Sequence, residues 1–523
     1  MILLNQPNCF REKRTGQKGS ESYGLKNCSL KSERTVSSNM GISVLACFIL
    51  TFFFLSIFPG SGHLSIFSQE RRTSQAQIIR TKPFPIALQN WTFRKFSFLE
   101  TIEFAQKLGI KYLQAYPGQI LSREKPDVVF NHHLKPEDVE LVQNKLKQAG
   151  VELVAYGVVD LGKTEEEKRK VFDFARRLGI QLIVAEPSEN EFPSLEPLLE
   201  EYNLFLAIHN HPEPSRYARP EKVLAVLKRT GDRIGVCADP GHWMRGKIKP
   251  VEALRLLQGR LLDIHLKDRS DFGVGEKVED VPPGKGKAGL KEILEELTRQ
   301  NYSGYLTLEY ENEKEALNPL PALKEAVELI NKNTYFYGYE ELLIRTRGRY
   351  SKHGWNHYGP GHFELDEKEG ILKSVGGMGL FWYSRKKFRD FILELDYKCS
   401  DRKTNSGVFL RVPEVPTSDD YIYHSFEIQI NDAGEGIHKT GAVYDAVAPA
   451  KDAFNPAGEW NHLKIIFKGK QLQVELNGVK IIDWLAEPRG KVRDFASEGY
   501  IGLQNHDRDS SVYFRNIFIK EIK

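Results

Sequence analysis

Arg233-Ile-Gly-Val-Cys-Ala-Asp-Pro-Gly-His-Trp243 is the stretch on which the fold turns. Its first half is a short apolar run of strand type. Its second half puts an acid, Asp239, and an imidazole, His242, just beyond that run. One such end is an ordinary loop, so the question is whether other strands finish in the same way. Seven more apolar runs flank it: Ile86–Thr92, Ile110–Ala115, Val151–Val158, Ile180–Ala185, Leu204–His209, Leu261–Leu266 and Tyr305–Glu309. Amphipathic stretches with helix signals separate most of them. Thr164-Glu-Glu-Glu167 has the form of a capping box. Gly109, Gly150, Gly179 and Gly231 stand where helices should stop. "KLGI" at Lys107 and "RLGI" at Arg177 are near-identical helix-to-strand junctions. This alternation, from Ile86 to about Asn331, predicts a (β/α)8 TIM barrel with its active face at the C-terminal strand ends. A doubly wound open sheet is the structural alternative.

The strand ends do repeat the pattern. Strand four ends in Glu186, strand five in His209-Asn-His211 and strand six in Asp239 with His242. Strand seven ends in His265-Leu-Lys267-Asp268, and strand eight in Glu309-Tyr-Glu311. Buried Asp and Glu are rarely left unpaired, so a convergent set of oxygen and nitrogen donors points to a divalent metal cation. Ion pairs and capped helix starts around a rim are the bland alternative.

Asp239-x-x-His242, then His265, then Glu309, with "IHLKD" at Ile264–Asp268, resemble the xylose-isomerase-like sugar phosphate isomerase/epimerase barrels over roughly Ile86–Asn331. The resemblance implies metal ligands Glu, Asp, His and Glu on strands five to eight. The last three fall on Asp239, His265 and Glu309. At the first, His209 stands where the family has a Glu that also helps to move a proton. Glu186, one strand earlier, is placed to supply the missing carboxylate. His211, His242 and Lys267 are expected around the ligands or facing substrate, an ordinary hydrogen-bonded histidine being the alternative for His211. The implied chemistry is proton abstraction beside a sugar carbonyl that a bound ion polarises. Mixed ligation suits Mn²⁺, Mg²⁺, Co²⁺ or Zn²⁺. Endonuclease-IV-like enzymes share the barrel with a three-zinc cluster, but they need a basic phosphate-binding face.

The charge distribution opposes that last reading. The formal net charge of +4 resides in Met1–Asn39, with seven basic and three acidic residues, so the rest of the chain is neutral and no nucleic-acid partner is expected. The same leader precedes an uncharged apolar segment, Gly41–Phe58, followed by Pro-Gly-Ser-Gly. This pattern predicts export to a periplasmic or extracellular place, with a cleaved signal or a retained transmembrane anchor in contact with the membrane. Met40 is an alternative start. Five cysteines, with no C-x-x-C spacing, exclude a disulfide scaffold.

After about Tyr335 the texture becomes that of an antiparallel β-sandwich. Strands are expected at Phe391–Lys398, Gly407–Val412, Ser425–Asn431, His462–Lys468, Gln471–Asn477 and Val512–Ile519, with a turn at Asn477-Gly478. Lys352–His362 reads as an irregular loop insert. Three units follow: a tail, apolar segment and tether over 1–75, the barrel over 76–333 and the sandwich over 339–523. "NSGVFLR" at Asn405, "FEIQIND" at Phe426, "TGAVYD" at Thr440, "PAGEWNHLKI" at Pro456, "LNGVKI" at Leu476, "IGLQNH" at Ile501 and "FRNI" at Phe514 appear in order. Together they resemble the 3-keto-disaccharide hydrolase family, a concanavalin-like sandwich. That resemblance implies cleavage of glycosides carrying a ketone at C3. It places Glu427 as the proton-transfer group, with Arg411 as oxyanion partner and His506 beside them. Asn405, Gln429, Tyr444 and Gln504 are substrate-binding, and Trp382 and Trp460 are candidate stacking rings. The two domains together read as an exported bifunctional carbohydrate enzyme. A non-catalytic carbohydrate-binding sandwich tethered to a catalytic barrel is the alternative, and a barrel inactivated by His209 is another.

Overall fold

Helix limits are set locally. In the helix Phe98–Leu108 the Ser97 and Glu100 side chains cap each other's backbone N–H, and Gly109 ends it at φ 68°. The helix Glu165–Leu178 repeats the device with Thr164, Glu167 and Gly179 at φ 73°, which is why "KLGI" and "RLGI" recur. Gly231 is not a helix stop of this kind. The helix Pro220–Leu227 ends before it. The Arg260 guanidinium gathers the chain there instead, donating to the carbonyls of Leu227, Thr230, Gly231 and Ile234.

The computed structural model describes residues 79–346 and 349–523. Eight parallel strands close into a barrel in chain order: β1 Ile86–Gln89, β2 Tyr112–Ala115, β3 Glu152–Gly157, β4 Leu182–Ala185, β5 Phe205–His209, β6 Ile234–Ala238, β7 Leu261–Leu266 and β8 Tyr305–Leu308. Leu306 lies opposite Ile86 where β8 returns to β1, so the open-sheet alternative is excluded. Strands buried on both faces are almost wholly apolar. Polar exceptions inside the barrel pair with each other: Thr307 donates to Asp263 at 2.8 Å, and Gln114 donates to Thr307 at 2.8 Å and to Asp263.

The C-terminal half is a sandwich of two antiparallel sheets. One runs in the order His362–Asp366, Ile371–Val375, Val512–Glu521, Phe391–Cys399, Asn461–Lys468, Gln471–Leu476 and Val479–Leu485. The other runs Trp355–Tyr358, Gly379–Tyr383, Tyr500–Asn505, Asn405–Val412 and Phe426–Asn431. The expected turn is present, with Asn477 at φ 51° and Gly478 at φ 79°. Lys352–His362 is not a loop insert. It contains the edge strand Trp355–Tyr358, whose Trp355 stacks on Phe381 at 4.8 Å. The Gly and Pro residues flanking a four-residue strand hid it. Between the sheets lie Val408, Leu410, Phe426, Ile428, Ile430 and Leu503 against Leu393, Ile465 and Phe467.

Barrel and sandwich belong to one compact unit. Tyr335 and Tyr339, in the join, donate to Glu394 of the sandwich at 2.9 and 2.8 Å. Arg345 donates to the carbonyls of Asn301 and Tyr302 at the end of the barrel. The leader, the apolar segment 41–58 and the tether lie outside the described residues. Among the described residues no helix is long and apolar enough to cross a membrane.

Candidate functional site

The barrel cluster is assembled from strand ends, as the alternation demands. Asp239 ends β6 and caps the helix Pro240–Arg245, its Oδ1 accepting the His242 N–H at 2.8 Å. That fixes the carboxylate and leaves Oδ2 facing the barrel axis. Asn210 locks the position, accepting from the Asp239 N–H at 2.8 Å and donating to its carbonyl at 3.0 Å. Gly241 is required by its neighbour: a Cβ there would lie 2.6 Å from Lys267 Cγ.

His209, Asp239, His265 and Glu309 each offer one donor atom, and all four atoms lie within 4.8 Å of one another. All four residues are buried. Both nitrogens of His209, His265 Nδ1 and Glu309 Oε2 have no hydrogen-bond partner, and Asp239 Oδ2 is met by the Lys267 ammonium at 3.1 Å without hydrogen-bond geometry. Buried polar atoms without partners are rare because each is costly. Here they converge on one place, which is the arrangement that a divalent cation satisfies. The residues therefore fit a metal ion. His265 is held for that role by Gln114, whose Oε1 lies 2.9 Å from Nε2, while Nδ1 stands 2.8 Å from Glu309 Oε2 without hydrogen-bond geometry.

Lys267 is a second, built-in positive charge. Its Nζ lies 3.1 Å from Asp239 Oδ2, 3.5 Å from Glu309 Oε1 and 3.1 Å from Glu311 Oε2. Burial opposes its charge, but the carboxylates outweigh burial and raise its pKa. Burial raises the Asp239 and Glu309 carboxyls, and the pull of Lys267 does not offset it. Lys267 also lies 3.3 Å from His242 Nε2. Burial pushes His242 well below the usual imidazole range, and its Nδ1 has no partner. Burial likewise lowers His209 to about 4.

Glu186 and His211 stand at the mouth. Glu186 Oε1 pairs with His211 Nδ1, and Oε2 accepts from Ser215 at 2.7 Å. Burial opposes the Glu186 charge, yet the nearby His209 imidazole and the bonds from His211 and Ser215 prevail and lower its pKa. The same carboxylate raises His211 against the effect of burial. Glu186 is outside the four-donor set. Sequence reasoning missed Gln89, Gln114 and Asp263. Their only signal is a polar residue inside an otherwise apolar barrel strand.

In the sandwich the polar face of Phe426–Asn431 is covered. Glu427 is only 7 % exposed, and burial lifts its carboxyl to about 8 despite the opposing charge of Lys491. Gln429, with its amide nitrogen turned to Glu427, donates to Oε1 at 3.1 Å and to the Ser406 carbonyl at 3.0 Å. Gly407 leaves the room this needs, since a Cβ there would lie 2.4 Å from Glu427 Oε1. His506 binds Asp507 through Nδ1 at 2.8 Å, with Nε2 3.3 Å from the Asn405 amide. Gln504 Oε1 is buried without a partner. Lys491 reaches the Tyr444 hydroxyl at 3.5 Å. Phe409, Trp382, Leu380 and Tyr421 pack together as the apolar part of this sheet face.

Arg411 is not in this groove. The strand Asn405–Val412 shifts register between Phe409 and Val412, with Arg411 at φ 54°. The bulge reverses the alternation, so the side chain enters the sandwich. Its guanidinium lies 3.6 Å from the centre of the Phe467 ring and donates to the carbonyls of Arg389 and Gly469 at 3.0 and 2.9 Å. Trp460 also lies elsewhere, just before the strand Asn461–Lys468 of the other sheet and beneath Arg515 at 3.9 Å.

Residues 102–333 match the family model described as xylose isomerase-like TIM barrel, and residues 348–520 match 3-keto-alpha-glucoside-1,2-lyase-like domain. Inosose dehydratase of Clostridium perfringens is 23% identical over 38% of this chain and 82% of its own length. Rhizopine catabolism protein MocC of Rhizobium meliloti is 24% identical over 34% of this chain and 58% of its own length. A solved structure from Parabacteroides distasonis is 32% identical, covering 48% of this chain and 98% of that one, with a TM-score of 0.40. The chain thus joins a barrel that matches the xylose isomerase-like TIM barrel model to a sandwich that matches the 3-keto-alpha-glucoside-1,2-lyase-like model.

Proposed function

We propose that the chain is an exported bifunctional carbohydrate enzyme in which both domains abstract a proton beside a sugar carbonyl. The observation that carries the barrel half is the convergence of buried donor atoms from His209, Asp239, His265 and Glu309, all within 4.8 Å of one another. Two imidazoles and two carboxylates suit Mn²⁺, Co²⁺ or Zn²⁺ better than Mg²⁺. A bound ion would polarise the carbonyl and its neighbouring hydroxyl. His211, half exposed and gripped by Glu186 on its Nδ1 side, has its other nitrogen free to take the carbon-bound proton. Lys267 donates to His242 Nε2, which leaves the His242 proton on Nδ1 for a substrate oxygen. Return of the proton to the neighbouring carbon gives an isomer, return to the opposite face an epimer, and departure of a neighbouring hydroxyl as water an alkene. The dehydratase among the relatives accords with this last outcome.

In the sandwich, Glu427 takes the C2 proton of a 3-keto-glycoside. The C–H electrons form the C1=C2 bond, and the glycosidic C1–O bond breaks with its pair leaving on the aglycone oxygen. Water then adds across the double bond, so the sum is hydrolysis. A carboxyl poised at about 8 is well matched to this base role. The apolar segment Gly41–Phe58 behind a basic leader supports a periplasmic or extracellular location. The test is incubation of the full chain with 3-keto-glucosides, with and without chelator, followed by product identification. Aglycone release that survives chelation, with a metal-dependent second product, is expected. Glycan retention without release refutes the hydrolase half and leaves a binding module. A metal-free, inert barrel refutes the other half.

A further inference from the structure

We propose that Glu186 is a positioning residue: it fixes the tautomer of His209 from behind and lends it the charge that a carboxylate ligand on β5 would have supplied. The inference rests on the metal reading above. His209 is 2 % exposed, and neither ring nitrogen makes a hydrogen bond. A buried imidazole left in that state is costly, so each side needs a counterpart. The structure offers one on each. Nδ1 lies 3.7 Å from Glu186 Oε1, and Nε2 lies 3.9 Å from Asp239 Oδ2. A neutral imidazole has one N–H and one lone pair. The carboxylate behind Nδ1 claims the N–H, which leaves the Nε2 lone pair toward Asp239, His265 and Glu309.

Glu186 has both oxygens engaged outside the four-donor cluster, although its carboxylate, His209 and His211 also have donor atoms within 4.8 Å of one another. Oε1 is held by His211, whose Nδ1 and backbone N–H both approach it, and Oε2 is held by Ser215 at 2.7 Å. Each imidazole of the cluster has a carboxylate near one ring nitrogen: His265 Nε2 lies 3.5 Å from Asp263 Oδ2, with the Gln114 amide oxygen nearer at 2.9 Å, and His209 Nδ1 lies 3.7 Å from Glu186 Oε1. A carboxylate behind an imidazole raises its basicity as a ligand.

The experiment uses the full chain stripped of metal and titrated with Co²⁺, reading the dissociation constant and the visible spectrum. Glu186→Gln is expected to bind Co²⁺ about 10–100-fold more weakly with an altered spectrum. Glu186→Gln with the wild-type constant and spectrum overturns the inference. Should that variant fail to fold, long-range ¹H–¹⁵N correlation of the wild-type apo chain decides the point. A proton on His209 Nδ1 supports the inference and a proton on Nε2 overturns it. A wild-type chain that takes up no Co²⁺ refutes the metal reading itself, a failure distinct from the others.

Discussion

The barrel and the sandwich handle buried acids in opposite ways. In the barrel, Asp239, Glu309 and Glu311 surround a buried ammonium, Lys267, with imidazoles in reach. In the sandwich, Glu427 stands nearly alone, with an amide from Gln429 and a distant cation, Lys491. Counter-charges within 3–4 Å let several carboxylates share one buried cluster, while a solitary one keeps its proton until the solution is mildly basic. The barrel is thereby suited to hold charge in place, and the sandwich to move a single proton.

The largest expected effect separates the two outright. Asp239→Ala should abolish metal content and barrel turnover yet leave 3-keto-glucoside cleavage intact, as read by metal analysis and product identification. Loss of both activities would mean that the two sites are not independent. Glu427→Gln is the mirror experiment. It should slow aglycone release about 10²–10⁴-fold without changing metal content.

The pH response sharpens the contrast. A base with a pKa of about 8 is mostly protonated at neutrality, so sandwich turnover should rise about tenfold per unit below that value and level off above it. Stability moves the other way. The folded state binds the Glu427 proton more tightly than the unfolded chain does. The associated stabilisation is full below the ordinary glutamate value and is lost as pH rises through about 8. Denaturation curves of Glu427→Gln should show less of this loss than wild type. The smallest effect tests the placement of Arg411. Arg411→Met should lower sandwich stability by about 1–3 kcal/mol, because buried carbonyls lose their donor, with the KM for a 3-keto-glucoside unchanged.

The sequence made the barrel legible because its chemistry sits at a fixed place in a repeating unit. His209, Asp239 and Glu309 each end an apolar run or follow it directly, His265 is the last residue but one of its run, and that position brings them together. Glu186 was visible for the same reason, but its bonds to His211 and Ser215 are not a property of spacing. In the sandwich, parity placed Glu427, Gln429 and Asn405 on one face. The same counting failed at Arg411, since one residue at positive φ shifts everything beyond it and no residue type announces that. Burial was the other hidden quantity. An alternating polar strand looks like a solvated outer face, and only the covering residues turn Glu427 into an inward-looking acid.

The join also dictates where the chain can be cut. Glu394 is wholly buried, and two of its partners, Tyr335 and Tyr339, precede the first motif of the sandwich in the sequence. Phe336 lies flat on Phe518 in the same place. Severing the polypeptide after Tyr339 would strip this carboxylate of both phenols and expose an aromatic face. A lone C-terminal half that precipitates would then report a badly chosen scission point rather than a dependence on its neighbour, and truncations beginning before Thr334 avoid that confusion.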